Sequence, residues 1–315
     1  MTSGLLLIDK PAGVTSFEVV RRARRALQIR KIGHLGTLDP FATGLLPLCL
    51  QEATKLVPYL MPEPKTYRAQ VRLGVTTDTQ DSTGLVVAAS EAMPTPEEVY
   101  RAAAAFVGEV TQVPPAYSAV HCRGERAYRR ARRGEVVDLA PRTVTVYELT
   151  VEAVALPEVT LTVRCSQGTY IRTLAQDLGD ALGCGAHLAA LRRLAVGPFK
   201  VAEALPLARL TELSREALAQ RIMPLSTCLP AMRPVAVGPE EARRLRQGRP
   251  VAHPADAAQD GEQVRVLVDT ELVAVARIRS LTPPAVLAPV RVFAGSEQEA
   301  VSSRREVIKD ILSNA

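Results

Sequence analysis

The sequence predicts an α+β fold with a mixed, largely antiparallel sheet and a small β-rich module at its C-terminal end. Segments that alternate as strands do, such as "KTYRAQVRLGVTTD" and "TVTVYELTVEAVAL", are interspersed with segments of helical periodicity. At 315 residues the chain exceeds a typical single domain. Prolines cluster near 225–235, so we expect a domain over residues 1–230, a module over 231–295 and a polar tail over 296–315.

A helix is expected directly after the N-terminal strand "GLLLIDK" and the turn that follows it. Thr15 or Ser16 would cap its N-terminus. Its apolar face would consist of Phe17, Val20, Ala23 and Leu27. Four arginines between residues 21 and 25 lie largely outside that face, which fits either a cationic binding surface or an ordinary solvated one.

Four further elements are expected in the first half of the chain. "GLLPLCL" is apolar, and "ATKLVPYLM" fits a short helix that Pro62 ends. The alternating strand after it places four side chains on one face, namely Tyr67, Ala69, Val71 and Leu73. The polar loop "TDTQDSTG" closes this strand, and a helix with acidic residues in its first turn is expected over 96–107.

The stretch of residues 114–142 has a different character. It carries six arginines against one glutamate between residues 123 and 133, with Tyr117 and Tyr128 interleaved. Arginines and aromatic rings together offer phosphate contacts and stacking surfaces, which is typical of nucleic-acid binding. An exposed helical hairpin could carry the same charge without a partner.

A strand, a turn at Gly168 and a helix are expected in "EVTLTVRCSQGTYIRTLAQDLGDAL". The helix would begin near Tyr170 or Ile171, so Tyr170 and Arg172 lie at the corner between the two elements, where side chains are exposed. Beyond residue 230, "QVRVLVDTELVAVARIRS" and "LAPVRVF" fit short strands of the β-rich module. The polar stretch after Gly295 could form a loose helix.

The charge balance of the chain is basic. Lysine and arginine number 39 against 33 acidic residues, a formal net charge of +6. Arginine outnumbers lysine by 33 to 6, and guanidinium groups suit phosphates and stack on bases. A genomic codon bias would produce the same ratio, so the clustering of arginines is the better evidence for a nucleic-acid partner.

Neither the cysteines nor the histidines predict a metal site. The five cysteines are odd in number and lack CxxC spacing, which indicates a reducing compartment, and the four histidines are scattered. No apolar stretch approaches the roughly 18 residues of a membrane span, and "LLLI" is too short for a signal peptide. We therefore expect a cytoplasmic protein without metal or membrane contact.

The segment "HLGTLDPFATG", residues 34–44, sets one carboxylate, Asp39, among turn-forming residues. A single carboxylate can be a nucleophile, a base or a metal ligand. Glycoside hydrolysis would need a second one. Asp78 or Asp81 could supply it, although an Asx turn within "TDTQDSTG" is the simpler interpretation of both.

Five linked segments resemble the TruB family of tRNA pseudouridine synthases in their order and approximate spacing. They are "KIGHLGTLDPFATGLL", "KTYRAQVRLGVTTDTQDSTG", "PPAYSAVHCRGERAYRRARRGE", "CSQGTYIRTLAQDLG" and "GAHLAALRRLAVGPF". The resemblance covers about residues 4–205, and the C-terminal region resembles the PUA-like RNA-binding module of the same family. It implies a pseudouridine synthase fold and the isomerisation of uridine-55 in the TΨC loop of tRNA.

The resemblance also implies roles for individual residues. Asp39 matches the catalytic aspartate that acts on the glycosidic bond, Tyr67 the tyrosine that stacks on the target base and is implicated in proton removal, and Arg172 the arginine that pairs with the aspartate. Leu191 matches an apolar wall of the uracil pocket, and His34 matches the histidine that fills the space of the flipped nucleotide. The remaining residues that we expect to bind substrate are Tyr170, Lys65, Asp81, Arg129, Arg130 and Arg132.

Physical chemistry agrees with these roles. Extruding a base from an RNA loop costs a few kcal/mol and leaves a gap to be filled. His34 would fill it, although taken alone it could be a hydrogen-bonded structural histidine. A guanidinium beside a desolvated carboxylate lowers the pKa of that carboxyl and fixes its rotamer. Taken alone, Arg172 would suggest a phosphate contact or simple solvation.

An isomerisation adds nothing to its substrate, so the resemblance implies no metal, nucleotide cofactor or redox group. Attack on the ribose, attack on the uracil ring and a glycal route are all compatible with these residues. The family pattern further implies a monomer that binds the T-arm stem-loop of tRNA without a guide RNA or an obligatory protein partner.

Two departures and two rival functions bear on this interpretation. Leu35 stands where the family more often has threonine, and His121 where it usually has lysine, so the charge of the arginine-rich segment is reduced by one. An RNA chaperone with an idle pocket would not need Asp39, Tyr67 and Arg172 together. A synthase that depends on a guide RNA would be expected to carry lysine-rich extensions, which this chain lacks.

Overall fold

The computed structural model describes residues 3–60, 63–118, 120–122, 124–252, 259–279 and 285–295. Its strands, in chain order, are β1 Gly4–Lys10, β2 Ile32–His34, β3 Thr43–Leu50, β4 Lys65–Leu73, β5 Val75–Thr77, β6 Val86–Ala89, β7 Gly108–Gln112, β8 His121–Cys122, β9 Glu125–Arg126, β10 Arg142–Ala155, β11 Glu158–Cys165, β12 Ala186–Val196, β13 Phe199–Lys200, β14 Leu205–Pro206, β15 Met223–Pro224, β16 Pro234–Ala236, β17 Val251–Ala252, β18 Gln263–Val268, β19 Glu271–Arg279 and β20 Val286–Val292.

Among the described residues the helices are fewer than the strands. The α-helices are α1 Ser16–Leu27, α2 Pro96–Ala104, α3 Ala127–Arg132, α4 Ile171–Ala181, α5 Arg209–Glu212, α6 Arg215–Ala219 and α7 Pro239–Arg246. Three 3₁₀-helical segments cover Gln51–Leu56, Val201–Glu203 and Leu225–Thr227. No helix in the ranges that the structure describes is long and apolar enough to cross a membrane.

An eleven-stranded sheet forms the body of the protein. Its main path runs β14, β1, β3, β12, β4, β11, β10, β7, and β2, β13 and β15 pair at its margins. Of its strand pairs in the described part of the chain, β1–β14 and β3–β12 are parallel and the others are antiparallel. The expected α+β fold with a mixed, largely antiparallel sheet is therefore confirmed, and the four apolar side chains of β4 are buried on one face as its alternation predicts.

Helix α1 packs on this sheet, but the prediction that Phe17 belongs to its apolar face is wrong. Thr15 is the cap, since its side chain accepts a hydrogen bond from the Glu18 amide. Ser16 then occupies the inward position and is buried, while Phe17 is turned outward and is 65% exposed. The expected arrangement fails because a buried serine, bonded to the chain beyond the helix, takes the place that we assigned to the phenylalanine.

Two predicted helix boundaries also differ. Helix α2 ends at Ala104 rather than at 107, because the chain tightens into successive i to i−3 hydrogen bonds and then turns at Gly108, where φ is +112°. The short helix after β3 is a single 3₁₀ segment, Gln51–Leu56, and Pro62 lies outside the described residues. The strand, Gly168 turn and helix that lead to α4 agree with the prediction.

A second sheet of five strands forms the small β-rich region, in the order β16, β18, β19, β20, β17. It also contains α7, a helix that we did not predict. Leu272 and Phe293 from this region share a buried cluster with Leu5 and Cys49 of the large sheet. The last strand of the large sheet ends at Pro224 and the first strand of the five-stranded sheet begins at Pro234, but the domain division itself stays a prediction. The predicted tail, 296–315, lies outside the described residues.

Candidate active site

A cleft of about 630 Å³ lies where the Asp39 loop, the strands β4 and β12 and the start of α4 meet. The arginine-rich segment lies along its rim. Eight residues that the sequence analysis selected line this cleft, namely Asp39, Lys65, Tyr67, Asp81, Arg132, Tyr170, Arg172 and Leu191. Residues separated by more than 150 positions in the chain are thus brought to one site.

Ser16 fixes the loop that carries Asp39. Its buried hydroxyl accepts a hydrogen bond from the Leu38 amide at 2.9 Å and donates one to the Leu38 carbonyl at 3.0 Å. Gly36 begins the loop with φ at +76°, a conformation that favours glycine. The turn-forming residues therefore hold Asp39 at a fixed position relative to the first helix.

Lys10 also fixes the loop that carries Asp39. Its side chain is fully buried, and Nζ donates hydrogen bonds to the carbonyls of Val14 at 2.7 Å, Pro11 at 2.9 Å and Pro40 at 3.2 Å. Burial lowers the pKa of this ammonium group to about 8, although the nearby Asp39 carboxylate opposes the decrease. Sequence reasoning gave Lys10 no role.

Arg172 contacts Asp39 directly. Its Nε lies 3.0 Å from Asp39 Oδ2, and the arginine side chain is only 5% exposed. The two remaining nitrogens donate to backbone carbonyls, Nη1 to Thr79 at 3.1 Å and Nη2 to Tyr117 at 3.0 Å. A planar guanidinium satisfied on three sides has little freedom to rotate, so the direction of its Nε towards the carboxylate is fixed.

The sequence left open whether Asp81 makes an Asx turn or supplies a second carboxylate to the site, and the structure shows both. Its Oδ1 accepts hydrogen bonds from the Thr83 amide at 2.9 Å and from the hydroxyls of Thr83 and Thr79 at 2.5 and 2.8 Å, so the Asx turn is present. Its other oxygen, Oδ2, lies 3.7 Å from Arg172 Nη1. The turn therefore places a second carboxylate beside the guanidinium.

The environment of Asp39 acts on its charge in opposite directions. Burial raises the pKa of the Asp39 carboxyl above its ordinary value, and the Arg172 guanidinium is the largest influence that lowers it. Asp81 adds to the increase. Arg172 thus lowers the pKa as expected from sequence, but burial outweighs it. About a third of the side chain, 35%, stays exposed to the cleft, where solvent limits the increase.

Tyr67 and Leu191 form one wall of the cleft. They stand on the neighbouring strands β4 and β12, and both side chains are more than nine-tenths buried. Burial raises the pKa of the Tyr67 phenol, and the Arg193 guanidinium beside it opposes that increase. The wall is thus an aromatic ring and an aliphatic chain, with a cation behind the phenol.

Tyr170 and Lys65 also line the cleft. Tyr170 precedes α4, where Gln112 bonds both its amide and its carbonyl at 3.0 and 3.3 Å, and the Arg142 guanidinium lies 5.6 Å from its ring centre. Lys65 begins β4 and is half-buried, and burial lowers the pKa of its ammonium group. Both residues present polar groups to whatever occupies the cleft.

His34 lies beside the cleft rather than in its lining. It ends β2, and its Nδ1 is buried without a hydrogen-bond partner among the described residues. Burial lowers the pKa of its imidazole, and Arg193 adds to the decrease, so the ring is neutral near pH 7. Among the described residues, no hydrogen bond at Nδ1 makes His34 the structural histidine that the sequence also allowed.

The arginines of the basic segment divide into two groups. Arg130 and Arg133 pair with Glu135, each at 2.7 Å, and Arg133 also pairs with Glu125. Arg132 instead lies 5.6 Å from the ring centre of Tyr128 at the rim of the cleft. These ion pairs bind Arg130 within its own segment, so its expected phosphate contact is weaker than that of Arg129 or Arg132. Arg123 lies outside the described residues.

Several residues of the site were not predicted from the sequence. Arg193 had a signal, because it is two positions from Leu191 on one strand and must face the same way. Ser16 and Lys10 had none, since their partners lie far along the chain. Within the described ranges, no three histidine, cysteine or acidic side chains approach each other closely enough to hold a metal ion.

Comparison with known proteins connects this geometry to a family. Residues 24–171 match the model of the TruB family pseudouridylate synthase N-terminal domain, and residues 172–230 match the tRNA pseudouridylate synthase B C-terminal domain. The tRNA pseudouridine synthase B of Cereibacter sphaeroides is 46% identical over 92% of this chain and 96% of its own length. That of Geobacter sulfurreducens is 44% identical over 87% and 92%, respectively.

Solved structures resemble most of the chain. An H/ACA RNP bound to a substrate RNA containing 2′-deoxyuridine has a chain that superposes with a TM-score of 0.70 at 26% identity, covering 93% of this chain and 85% of that one. A Cbf5-Nop10-Gar1 complex has one with a TM-score of 0.69 at 27% identity, covering 93% and 86%. The folds therefore agree as well as the sequences, and the chain belongs to the TruB family of pseudouridine synthases.

Proposed function

We propose that this chain converts uridine-55 in the TΨC loop of tRNA to pseudouridine, with Asp39, Tyr67 and Arg172 as its catalytic residues. The observation that carries the proposal is the Asp39 carboxylate, held 3.0 Å from a buried guanidinium in a cleft that also presents Tyr67. Its relatives in Cereibacter and Geobacter are named tRNA pseudouridine synthase B.

The cleft is suited to one extruded nucleotide. A volume of about 630 Å³ admits a single nucleotide but no base-paired stem, so the target must leave its stack. The uracil ring would stack on Tyr67 against Leu191, with its glycosidic bond near Asp39. His34, neutral and beside the cleft, would occupy the space that the base leaves in the RNA.

The reaction conserves every atom of the substrate. The bond between C1′ and N1 breaks, the uracil turns within the pocket, and a bond forms between C1′ and C5. C5 then loses its proton and N1 gains one, so the product has the composition of the substrate. In this scheme Asp39 acts as the ionised carboxylate and Arg172 stabilises that charge. Tyr67 accepts the C5 proton as its phenolate, and a proton then passes from the phenol through water to N1, which restores the phenolate.

Recognition of the T-arm would depend on phosphate contacts outside the cleft. Arg132 lies at its rim, and Arg129 stands on the same short helix, α3. Helix α1 adds the basic side chains of residues 21–25, of which Arg21 and Arg22 share one partner, Glu18. The β-rich region after residue 230 would serve as a PUA-like contact for RNA. We propose a monomer that acts in the cytoplasm without a guide RNA or an obligatory protein partner.

A tritium-release assay tests this function. Purified protein is incubated in EDTA with a T-arm stem-loop that carries tritium at C5 of its uridines. We expect one tritium per stem-loop to pass into water without any added cofactor, because C5 exchanges its proton for the bond to C1′. A protein that binds the stem-loop and releases no tritium would be an RNA-binding protein with an idle pocket, and the proposal would fail.

The salt dependence of RNA binding tests the role of the arginine-rich segment. Replacing Arg129 and Arg132 together by glutamine should make the slope of log K against log salt concentration shallower by about one for each lost phosphate contact. Arg68→Gln is the control, because Arg68 stands on the face of β4 opposite to Tyr67 and pairs with Glu152 at 2.7 Å. Equal slopes in the double variant, the control and the wild type would contradict this role.

A further inference from the structure

Arg193 is a buried cation that the scheme above leaves without a role. Its side chain is 1% exposed, and no carboxylate lies within 4.0 Å of it in the part of the chain that the structure describes. Removing a guanidinium from water without an anionic partner is costly, and such groups persist where the surroundings satisfy them and function requires them.

Two backbone carbonyls fix the Arg193 side chain. Nε donates to the Leu45 carbonyl at 2.8 Å, and Nη2 donates to the Gly36 carbonyl at 3.0 Å. Gly44 permits this close packing, because a Cβ at that residue would lie 2.3 Å from the Arg193 carbonyl oxygen. The guanidinium is therefore anchored at once to β3 and to the first residue of the loop that presents Asp39.

The third neighbour of the guanidinium is Tyr67. Arg193 and Tyr67 are directly opposite each other in the β4–β12 pair, both line the cleft, and the charge of the guanidinium opposes the increase in the pKa of the phenol. A guanidinium can only donate hydrogen bonds, so towards this group the phenol oxygen can act only as an acceptor. The phenol's own proton is then directed away from Arg193, and a negative charge on the oxygen is stabilised.

We propose that Arg193 is a positioning residue that orients the Tyr67 oxygen, stabilises the phenolate that accepts the C5 proton, and links its position to the Asp39 loop through the Gly36 carbonyl. The proposal rests on the proposed function, since it assigns the C5 proton to Tyr67. It explains why a buried cation faces a phenol instead of a carboxylate: a carboxylate would neutralise the guanidinium and leave the phenol without that stabilisation.

The effect of Arg193→Met should appear in the chemical step. We expect kcat for tritium release to fall about 10²-fold, with the Kd for the T-arm stem-loop unchanged. Deuterium at C5 should slow the variant more than the wild type, because proton removal becomes rate-limiting. Arg192→Met is the matched control, since the preceding arginine pairs with Asp9 at 2.7 Å outside the cleft, and its kcat and isotope effect should equal those of the wild type.

Arg193→Lys is a second variant, which tests the proposal even if Arg193→Met does not fold. It keeps the charge but loses the planar set of donors. We expect an intermediate kcat, and 3-fluorotyrosine introduced at position 67 should partly restore it because fluorine makes the phenol more acidic. In a Tyr67→Phe background, exchanging Arg193 for lysine should cause no further loss. An equal loss in both backgrounds, or no restoration by the fluorinated residue, would show a purely structural role and overturn the proposal.

Failure of the proposed function gives a different result. If the wild-type protein releases no tritium from the stem-loop, the assignment of the reaction fails before Arg193 is tested. If the wild type is active and Arg193→Lys matches it in kcat, pH profile and isotope effect, only the role of Arg193 is overturned.

Discussion

Asp39→Asn is expected to abolish tritium release, with a loss in kcat on the order of 10⁴ or more, because an amide can be neither the nucleophile nor the base that the rearrangement needs. The fold should persist. Asparagine has the same shape, the loop is held through Ser16 and Lys10 rather than through the carboxylate, and Arg172 keeps its two carbonyl acceptors. Binding of the stem-loop should therefore remain close to that of the wild type.

Asp78→Asn provides the matched control for this experiment. Asp78 lies in the neighbouring polar loop, where its Oδ1 accepts a hydrogen bond from the Leu85 amide at 2.8 Å, an interaction that asparagine can also make. We expect its kcat to equal that of the wild type. Single-turnover tritium release by both variants gives the comparison, and release by Asp39→Asn at the wild-type rate would remove Asp39 from the mechanism.

Replacing Arg172 by methionine should have the second largest effect, a loss in kcat of roughly 10²–10³ that depends on pH. Burial and Asp81 already raise the pKa of the Asp39 carboxyl, and Arg172 is the largest influence that lowers it. Without the guanidinium the pKa must rise further. Since the ionised carboxylate is the active form, activity should be lost at a higher pH on acidification than in the wild type.

The pH profile of kcat at saturating RNA checks this shift. Arg172→Lys should move the acidic limb less than methionine does, because it retains a charge but not the three-sided fixation of the guanidinium. Arg68→Met, on the opposite face of the sheet, should leave the limb where it is. A lower rate with an unshifted acidic limb would mean that Arg172 maintains the fold and does not act on the charge of Asp39.

Local patterns in the sequence predicted those elements that depend on local physical chemistry. The alternation of β4, the cap of α1 and the turn at Gly168 were all readable because each depends on residues within a few positions. Phe17 was misplaced because its position depends on a bond from Ser16 to Leu38, which lies 22 residues further along the chain. Such long-range partners leave no periodic signal.

The site shows the same difference between what local sequence signals predict and what depends on partners far along the chain. Resemblance to the family located Asp39, Tyr67 and Arg172, and the structure places them around one cleft. Asp81 was expected to bind substrate, but its place beside Arg172 could not be predicted, and the spacing of Arg193 from Leu191 indicated only the face of β12 on which it stands. A turn-forming aspartate becomes part of the charge balance only when α4 brings Arg172 to it.

The arginine-rich segment shows how composition overstates charge. Six arginines against one glutamate suggested a strongly cationic surface, but Glu135 lies just beyond that window and pairs with both Arg130 and Arg133. Ion pairs within a segment leave less charge for phosphates than a residue count implies. Arg129 and Arg132 are therefore the positions where substitution should have the largest effect on RNA binding.

The identity and position of the product distinguish a uridine-55 synthase from an enzyme that acts elsewhere on tRNA. Unmodified tRNA transcript is incubated with the wild-type protein or with Asp39→Asn, and each position is then examined for pseudouridine by chemical mapping. We expect complete conversion at uridine-55 alone with the wild type, and none with the variant. Pseudouridine at other positions with uridine-55 unchanged, or equal conversion by Asp39→Asn, would contradict the account.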